Sequence, residues 1–325
     1  MRFTWSLLAL LGMPSLMMAQ SYFIKGPEVP KPSEKTAIQE MTDYLARRIG
    51  DKTLSIGGKT PVTFQIGDTE LARQQKCLST ELEDERWVIR SIGDPEIRFR
   101  EDPVRMMRAI KFSSRLGFRI ERKTAAAMKK LHACILSAAV PRVCEEVFRL
   151  FPYGCSEEAF RQMYACGLLG DLLPDLAKFI DSDGGSRSAT WKYLATLDRY
   201  ERAMHERGVE VANGLRAAVL YAAMAKSRPG RSREVMGTML ASLKIPKAIY
   251  FLATLLIDSV KRLSQPPQRA RRRFIHNRDF VDALDFNRIL ARAEGRSEDT
   301  LDAWDALSRK TCNEQGDKND RKERS

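Results

Sequence analysis

The segment of residues 90–118 reads R-S-I-G-D-P-E-I-R-F-R-E-D-P-V-R-M-M-R-A-I-K-F-S-S-R-L-G-F, and it holds start and stop signals for one helix. Asp102 followed by Pro103 predicts the start, because an aspartate caps free N–H groups and proline fits the first helical position. Gly117 predicts the end, because glycine adopts a left-handed backbone at little cost. Between these signals we expect about four turns of helix.

Helical periodicity gives this segment two different faces. The face that we expect to pack carries Met106, Ala109, Ile110, Ser113 and Leu116. The opposite face carries Arg108, Lys111 and Arg115, with Arg105 at its flank. We therefore expect the second face to present cationic groups to its surroundings.

The start of this helix is charged. Glu101 and Asp102 lie at the predicted positive end of the helix dipole, where carboxylates stay ionised. Arg105 follows Asp102 by three residues, which places the two side chains within reach. A carboxylate beside a guanidinium offers acceptors and donors in a set geometry, as reading a nucleobase edge requires. A capped surface helix with an ordinary ion pair is the simpler alternative.

This segment closely resembles the neck of the bacterial poly(A) polymerase and CCA-adding enzyme family, the class II RNA nucleotidyltransferases. In that family an I-G-D-P-x-x-R-F-x-E-D-P-x-R-M-x-R-A segment follows the catalytic head. The matching residues are Ile92-Gly93-Asp94-Pro95, Arg98-Phe99, Glu101-Asp102-Pro103, Arg105-Met106 and Arg108-Ala109. The resemblance implies that Glu101, Asp102 and Arg105 recognise the base of the incoming nucleotide. It also implies that Arg108 is a basic neck position near that nucleotide.

Later segments extend the resemblance over roughly residues 86–307, and it looks closer to the poly(A) polymerase branch. Gly167-Leu168-Leu169 and Leu172-Leu173-Pro174 are similar to the family's G-L-L-x-x-L-x-P segment. The expected fold class is mainly α, a helical neck and body, with an irregular N-terminal segment in place of the usual α/β catalytic head. The expected divisions are a signal-like segment (1–20), an unmatched, partly disordered segment (21–85), the neck (86–180), an RNA-binding body (181–310) and a disordered tail (311–325).

Local signals predict the individual elements. Residues 21–36 read as linker and residues 74–87 as loop or weak helix, while residues 62–66 form a possible strand. Beyond the neck we expect helices almost throughout, with glycine stops at Gly167, Gly208 and Gly295. The predicted helices cover residues 37–49, 124–132, 141–151, 156–166, 189–207, 213–226, 234–243, 247–263, 279–294 and 297–308.

Composition narrows the class of protein. The chain has 325 residues and a net charge of +13, which favours a polyanionic partner, either nucleic acid or an anionic membrane. None of the six cysteines stands in a C-x-x-C pair, so the sequence predicts no zinc site. We expect a reducing, cytoplasmic location. We also expect no stable membrane partner. The apolar run in residues 1–20 resembles a short secretory signal, but Pro14 interrupts it. Export therefore stays an alternative.

The chemistry of the resembled family belongs to the head, before the neck. There a G-G-x-x-R-D turn binds triphosphate, and a D-x-D pair holds two metal ions that bridge the attacking hydroxyl and the phosphates. Here Gly57-Gly58 lacks the following arginine and aspartate, and Asp68-Thr69-Glu70 lies only about two dozen residues before the neck, too few for a mixed sheet with helices. We therefore expect no catalytic residues and no intrinsic cofactor. ATP as substrate and magnesium are expected only if a head domain is supplied.

A second basic segment lies between residues 261 and 278 and contains no acidic residue. Arginines pair with phosphates bidentately, and aromatic rings stack on unpaired bases. The candidate RNA-binding residues are Arg269, Arg271, Arg272, Arg273, Phe274 and Arg278, beside Lys261, Arg262 and His276. A solvated basic turn is the alternative. The loop with Arg228, Arg231 and Arg233 is a weaker candidate.

These observations lead to one expected function with two alternatives. We expect an RNA-binding member of the family, associated with template-independent addition of AMP from ATP to RNA 3′ ends and inactive alone. Its expected partners are single-stranded RNA 3′ ends or tRNA-like RNA, and a separately encoded catalytic head. The alternatives are a stand-alone RNA-binding regulator without catalysis and an exported helical protein.

Overall fold

Helices make up most of the described chain, which confirms the mainly α fold class. The computed structural model describes residues 22–24, 64–66, 78–83, 86–267 and 272–323, with side chains over 88–267 and 274–311. The chain forms two compact units. The first comprises the described residues up to Ala139 together with Ala165–Asp171, and the second comprises Val140–Tyr164 and the residues from Leu172 onward.

The first unit combines short strands with the neck helices. Its elements are β1 (Tyr22–Ile24), β2 (Phe64–Ile66), β3 (Leu78–Glu83), β4 (Arg86–Ser91), α1 (Pro95–Glu101), α2 (Val104–Leu116), β5 (Arg119–Ile120) and α3 (Arg122–Leu131), followed by a 3-10 helix (His132–Ser137). β1 pairs antiparallel with β2, and β3 pairs antiparallel with β4. β5 adds to β4 in parallel, with Val88 opposite Arg119.

These strands correct the prediction for the N-terminal part of the chain. Residues 74–87 were predicted as loop or weak helix, and that was wrong, because β3 and the first two residues of β4 lie there. The missed signal is the alternation of Leu78, Thr80 and Leu82 with polar residues, the period of a strand. The linker prediction was wrong at β1, whereas the strand predicted at 62–66 is confirmed at Phe64–Ile66. The predicted helix at 37–49 and the segment 1–20 lie outside the described residues.

The second unit is a stack of helices. They are α4 (Val140–Phe148), α5 (Ser156–Cys166), α6 (Leu168–Leu172), α7 (Pro174–Ser182), α8 (Ala189–Glu206), α9 (Asn213–Leu220), α10 (Ala222–Ser227), α11 (Ser232–Leu243), α12 (Lys247–Leu263), α13 (Arg272–Ile275), α14 (Phe280–Glu294) and α15 (Asp299–Glu323), of which α6 begins in the first unit. The predicted glycine stops are confirmed: Gly167, Gly208 and Gly295 all have positive φ. The helix predicted at 213–226 is broken at Tyr221, which separates α9 from α10.

The last helix is longer than predicted. α15 runs to Glu323, so its predicted end near Ser308 was wrong. The residues predicted as a disordered tail are helical as far as Glu323. Its sequence there contains no proline, and its lysine, arginine, glutamate and glutamine residues favour a helix although Gly316 does not. Disorder was predicted because this segment carries many charges of both signs. Charged residues are also compatible with a solvated helix, as the Arg309–Asp305 pair at 2.9 Å illustrates.

Close packing and one buried ion pair hold α8, α9 and α12 together. Gly214 of α9 lies so close to α12 that a Cβ there would come within 2.6 Å of the Leu252 side chain. Arg216 donates bidentately to Glu201 of α8, at 2.6 and 3.1 Å, and both side chains are buried. Removing either partner would leave a buried charge, which typically costs about 3–5 kcal/mol.

The start of α5 is capped from a distance. Ser156 is the first helical residue of α5, as the predicted range 156–166 has it. The Asp198 carboxylate of α8 accepts hydrogen bonds from the backbone N–H groups of Ser156 and Glu157, at 2.8 and 2.9 Å. Burial raises the pKa of Asp198, although these hydrogen bonds oppose that shift. Free N–H groups at a helix start need an acceptor, and the fold provides one from another helix.

The described cysteines have free thiols. Cys144 and Cys166 are buried, and burial raises the pKa of both thiols. Cys134 is only half-buried. Among the helices that the structure describes, none is both long and apolar enough to cross a membrane.

Candidate functional site

The junction between α1 and α2 positions the charged residues of the neck. The Asp94 side chain accepts a hydrogen bond from the Glu96 N–H at 2.8 Å, and Pro95 occupies the first turn, so α1 starts with an aspartate–proline signal. The same signal at Asp102 and Pro103 was predicted to start α2, but α2 begins at Val104. Asp102 has an extended backbone (φ −148°, ψ 91°) and ends α1. Its side chain is therefore directed by the bend between the helices.

Arg105 is held in one orientation at this bend. Its Nη1 donates to the carbonyl oxygen of Arg98 at 3.1 Å and to Glu101 Oε2 at 3.2 Å. Its Nε lies 3.7 Å from Asp102 Oδ2, which confirms the predicted proximity of these two side chains. Only 15% of the Arg105 side chain is exposed. The guanidinium is thus fixed beside two carboxylates.

Glu101 is an exposed carboxylate between two arginines. Arg98 Nη1 donates to Glu101 Oε2 at 3.0 Å, and Arg105 donates to the same oxygen. The hydrogen bonds from Arg98 and then Arg105 lower the pKa of Glu101. The prediction that a helix dipole keeps Glu101 ionised was wrong in its cause. Glu101 is the last residue of α1, so the neighbouring guanidinium groups supply the positive charge.

Arg98 is a positioning residue that the sequence analysis did not assign. Its Nε donates to the Ile92 carbonyl at 3.2 Å, while its own carbonyl accepts from Arg105. Gly93 has φ 82°, and this left-handed turn places the Ile92 carbonyl toward Arg98. The spacing of Arg98 to Glu101, three residues along a helix, was the available signal.

The predicted cationic face of α2 is largely buried. Arg108 and Lys111 are only 3% and 5% exposed, and Arg115 is half-buried. The expectation that this face presents its charges was wrong for Arg108 and Lys111. Since α2 also contacts α1, β4 and β5, little of its circumference faces solvent. Long cationic side chains pack their methylene groups against such surfaces. The assignment of Arg108 to nucleotide contact stays a prediction.

The basic segment 261–278 is only partly described. Lys261 and Arg262 are exposed in the last turn of α12, and Arg278 is exposed before α14. Arg269 and Arg271 lie outside the described residues. Arg272 and Arg273 begin α13, and their side chains are outside the described set. The RNA-binding role of this segment therefore stays a prediction.

Phe274 is half-buried in an aromatic cluster with Phe280 and Trp304. The Phe274 ring centroid lies 5.4 Å from that of Phe280 and 6.2 Å from that of Trp304, both edge-on at 87°. The guanidinium carbon of Arg262 lies 4.5 Å from the same ring centroid. These contacts occupy much of the ring that was predicted to stack on a base. The cluster anchors α13 to α14 and α15.

The other sequence candidates are an arginine loop that the structure describes and N-terminal residues that it does not. Arg228 and Arg231 lie 4.0 and 3.4 Å from Glu234. The glycine pair 57–58 and the acidic residues Asp68 and Glu70 lie outside the described residues. Where side chains are described, no three acidic, histidine or cysteine residues group as metal ligands.

Comparisons with known proteins match this neck region. Residues 117–180 match a family model described as the probable RNA- and SrmB-binding site of polymerase A. Poly(A) polymerase I of Escherichia coli O157:H7 is 32% identical over 140 residues, covering 42% of this chain and 28% of that protein. The CCA-adding enzyme of Lactobacillus helveticus is 33% identical over 148 residues, covering 45% and 34%. The solved CCA-adding enzyme of Bacillus stearothermophilus, in complex with CTP, aligns with a TM-score of 0.49 at 22% identity, covering 76% and 55%.

The curated relatives that match are poly(A) polymerases and CCA-adding enzymes, and over the shared segment the chain is similar to that family. The matching part spans about a third of the length of these curated relatives. Relatives from both branches match at nearly equal identity, 32% and 33%.

The aromatic cluster yields a stability prediction. Phe274→Ala should lower the free energy of unfolding by about 1–3 kcal/mol, because a fully buried Phe to Ala change costs about 3–5 kcal/mol and this ring is half-buried. Urea unfolding monitored by circular dichroism measures the change. The matched control is Phe251→Ala on the exposed surface of α12, which should stay within about 0.5 kcal/mol of the unsubstituted chain. Equal stability of both variants would contradict the packed role of Phe274.

Proposed function

We propose that this chain recognises the base of an incoming nucleotide with its neck and binds RNA with its body. Together with a supplied catalytic head, it adds AMP from ATP to RNA 3′ ends. The observation that carries this proposal is the fixed guanidinium of Arg105 between Glu101 and Asp102. A rigid donor beside two acceptors is suited to a nucleobase edge and costs little ordering when the base binds.

The chemistry of the base supports this assignment. Adenine carries an exocyclic amino group, which donates, beside a ring nitrogen, which accepts. Arg105 supplies donors and Glu101 or Asp102 supplies acceptors, so one base edge satisfies both kinds of group. Cytosine offers the same adjacent pattern, and the family relatives include enzymes of both the poly(A) and the CCA type. ATP is the proposed substrate because the neck resembles the poly(A) polymerase branch.

RNA binding is supported by charge and by the family match. The chain has a net charge of +13, and the matching family model is described as a probable RNA-binding site. In the body, Lys261, Arg262 and Arg278 are exposed. Phosphate groups attract such cations, and the binding free energy comes largely from released counterions.

Catalysis is proposed to require a head supplied in trans. Before the neck, Gly57-Gly58 and Asp68-Thr69-Glu70 depart from the family patterns that hold triphosphate and metal. Two divalent ions are needed to bridge the attacking 3′-hydroxyl and the nucleotide phosphates. This departure also favours a second candidate function, an RNA-binding regulator without catalysis.

The purified chain alone should not extend a labelled RNA primer in the presence of magnesium and ATP. Denaturing gel electrophoresis of the primer measures extension. Adding a separately purified head domain of this family should restore extension if the chain supplies neck and body, whereas a regulator would remain inactive. Extension by the chain alone that is lost in Asp68→Asn and Glu70→Gln variants would contradict the proposal.

Nucleotide binding by the chain alone should be weak and should depend on Arg105. Base recognition without triphosphate and metal contacts leaves little net affinity. Arg105→Ala should abolish the binding of ATP that calorimetry detects. Arg100→Ala is the matched control, because Arg100 is an exposed arginine on α1 whose nearest ion pair is Glu96 at 3.6 Å. Tight ATP binding that survives Arg105→Ala would refute the site.

The salt dependence of RNA binding should show whether the arginines of the basic segment contact phosphate groups. Replacing Arg271, Arg272 and Arg273 by alanine should weaken single-stranded RNA binding and flatten the log–log salt slope by up to about 2, at about 0.7 per lost contact. Fluorescence anisotropy of labelled RNA at several salt concentrations measures both quantities. The control replaces the exposed Arg207, Arg296 and Arg309 and removes the same net charge. If both triple variants change the slope equally, the segment is a solvated basic turn.

A further inference from the structure

An aromatic pair lies exposed where α11 meets α12. Phe251, in the second turn of α12, is 64% exposed. The neighbouring Tyr250 ring lies edge-on to it, with centroids 5.4 Å apart at 68°. A single exposed apolar residue is ordinary, but two adjacent aromatic rings beside cations have the composition of a base-stacking surface.

The scaffold beneath this pair is rigid. The Tyr250 hydroxyl donates to the Arg233 carbonyl of α11 at 3.3 Å. On the other side of α12, Leu252 packs directly against Gly214, and Ala253 and Leu256 are fully buried. The backbone that carries Phe251 is therefore held from both sides, and its ring is presented at a fixed place.

Three cations lie near this pair, and the exposed Glu234 that follows Arg233 is paired with Arg228 and Arg231. Arg233, Lys244 and Lys247 are exposed, and within the described residues none of the three forms an ion pair. The chain from Lys244 to Ile257 contains no acidic residue. Lys247 precedes Phe251 by four residues, so the two side chains are neighbours on one helix face. Val209, another exposed apolar residue, lies instead between Glu206 and Glu210.

This combination of groups favours a single-stranded nucleic acid over a protein. Lysine is depleted in protein–protein interfaces, and desolvating three cations there is costly. Single-stranded RNA uses both kinds of group, since its bases stack on aromatic rings and its phosphates pair with cations. Phe274, the aromatic residue predicted from sequence, already has its ring covered by Phe280, Trp304 and Arg262.

We propose that the α11–α12 corner, defined as Arg233, Lys244, Lys247, Tyr250 and Phe251, contacts a single-stranded stretch of the bound RNA. One base stacks on Phe251, and the neighbouring phosphates pair with the three cations. This proposal rests on the proposed RNA-binding function and adds to it a second contact, separate from the 261–278 segment.

The test measures binding of a fluorescein-labelled oligoadenylate to the full chain at several salt concentrations. Phe251→Ala should weaken binding about 5- to 150-fold without changing the salt slope, because stacking releases no counterions. Phe251→Tyr should keep the affinity, since the ring remains. The double change Lys244→Gln and Lys247→Gln should flatten the slope by up to about 1.4. Val209→Ala is the matched control and should leave both quantities unchanged.

A second readout locates the contact directly. RNA carrying 5-iodouridine should crosslink, on irradiation, to the peptide that contains Tyr250 and Phe251. The unsubstituted chain could bind RNA but crosslink only elsewhere, with Phe251→Ala binding normally. That result would reject the contact at the α11–α12 corner and leave the proposed RNA-binding function standing. If the unsubstituted chain binds no RNA, both fail together. If Phe251→Ala instead turns a dimer into a monomer in sedimentation with RNA affinity unchanged, the corner joins two copies and the proposal is wrong.

Discussion

The hydrogen bond from Arg105 Nη1 to the Arg98 carbonyl, at 3.1 Å, is the contact on which the neck depends. It joins the first turn of α2 to the last turn of α1 at the point where Asp102 leaves helical geometry. The same carbonyl also accepts the backbone N–H of Asp102 at 3.1 Å, so the guanidinium shares an acceptor that the end of α1 already holds in place and is oriented by it. Glu101 and Asp102 then have a fixed donor beside them. The residues of the proposed recognition site therefore also stabilise the junction between α1 and α2.

Much of the helical part was predictable from the sequence because its signals are local. Glycines at 117, 167, 208 and 295 end helices, and all four adopt positive φ. α12 has the predicted bounds, Lys247–Leu263. The strands β3 and β4 were missed although their alternation was visible, because they stabilise each other through pairing between segments and both carry charged residues. An aspartate–proline pair also has two outcomes here: Asp94 caps α1, while Asp102 ends it. The choice depends on tertiary context.

Among the candidate site residues, too, some positions were predictable from the sequence and others were not. The closeness of Asp102 and Arg105 follows from helical spacing and was predictable. The burial of Arg108 and Lys111 was not, because periodicity says which residues share a face but not how many neighbours surround the helix. Phe274 and Phe251 show that the neighbouring sequence does not decide whether a ring is packed or exposed. The sequence marks Phe274 by the arginines around it, yet it packs with Trp304, whereas Phe251 stands in an apolar run and is exposed.

The cap that Asp198 provides for α5 has a consequence for the order of folding. Its hydrogen bonds to Ser156 and Glu157 bridge 42 and 41 residues of sequence, so they form only after α7 and α8 have been placed. Before that closure the first turn of α5 has its N–H groups turned to water and frays. Closing such a segment carries an entropic cost that purely local capping avoids. Completion of α5 is therefore coupled to the docking of α8, and the two helices gain their final stability in one cooperative event.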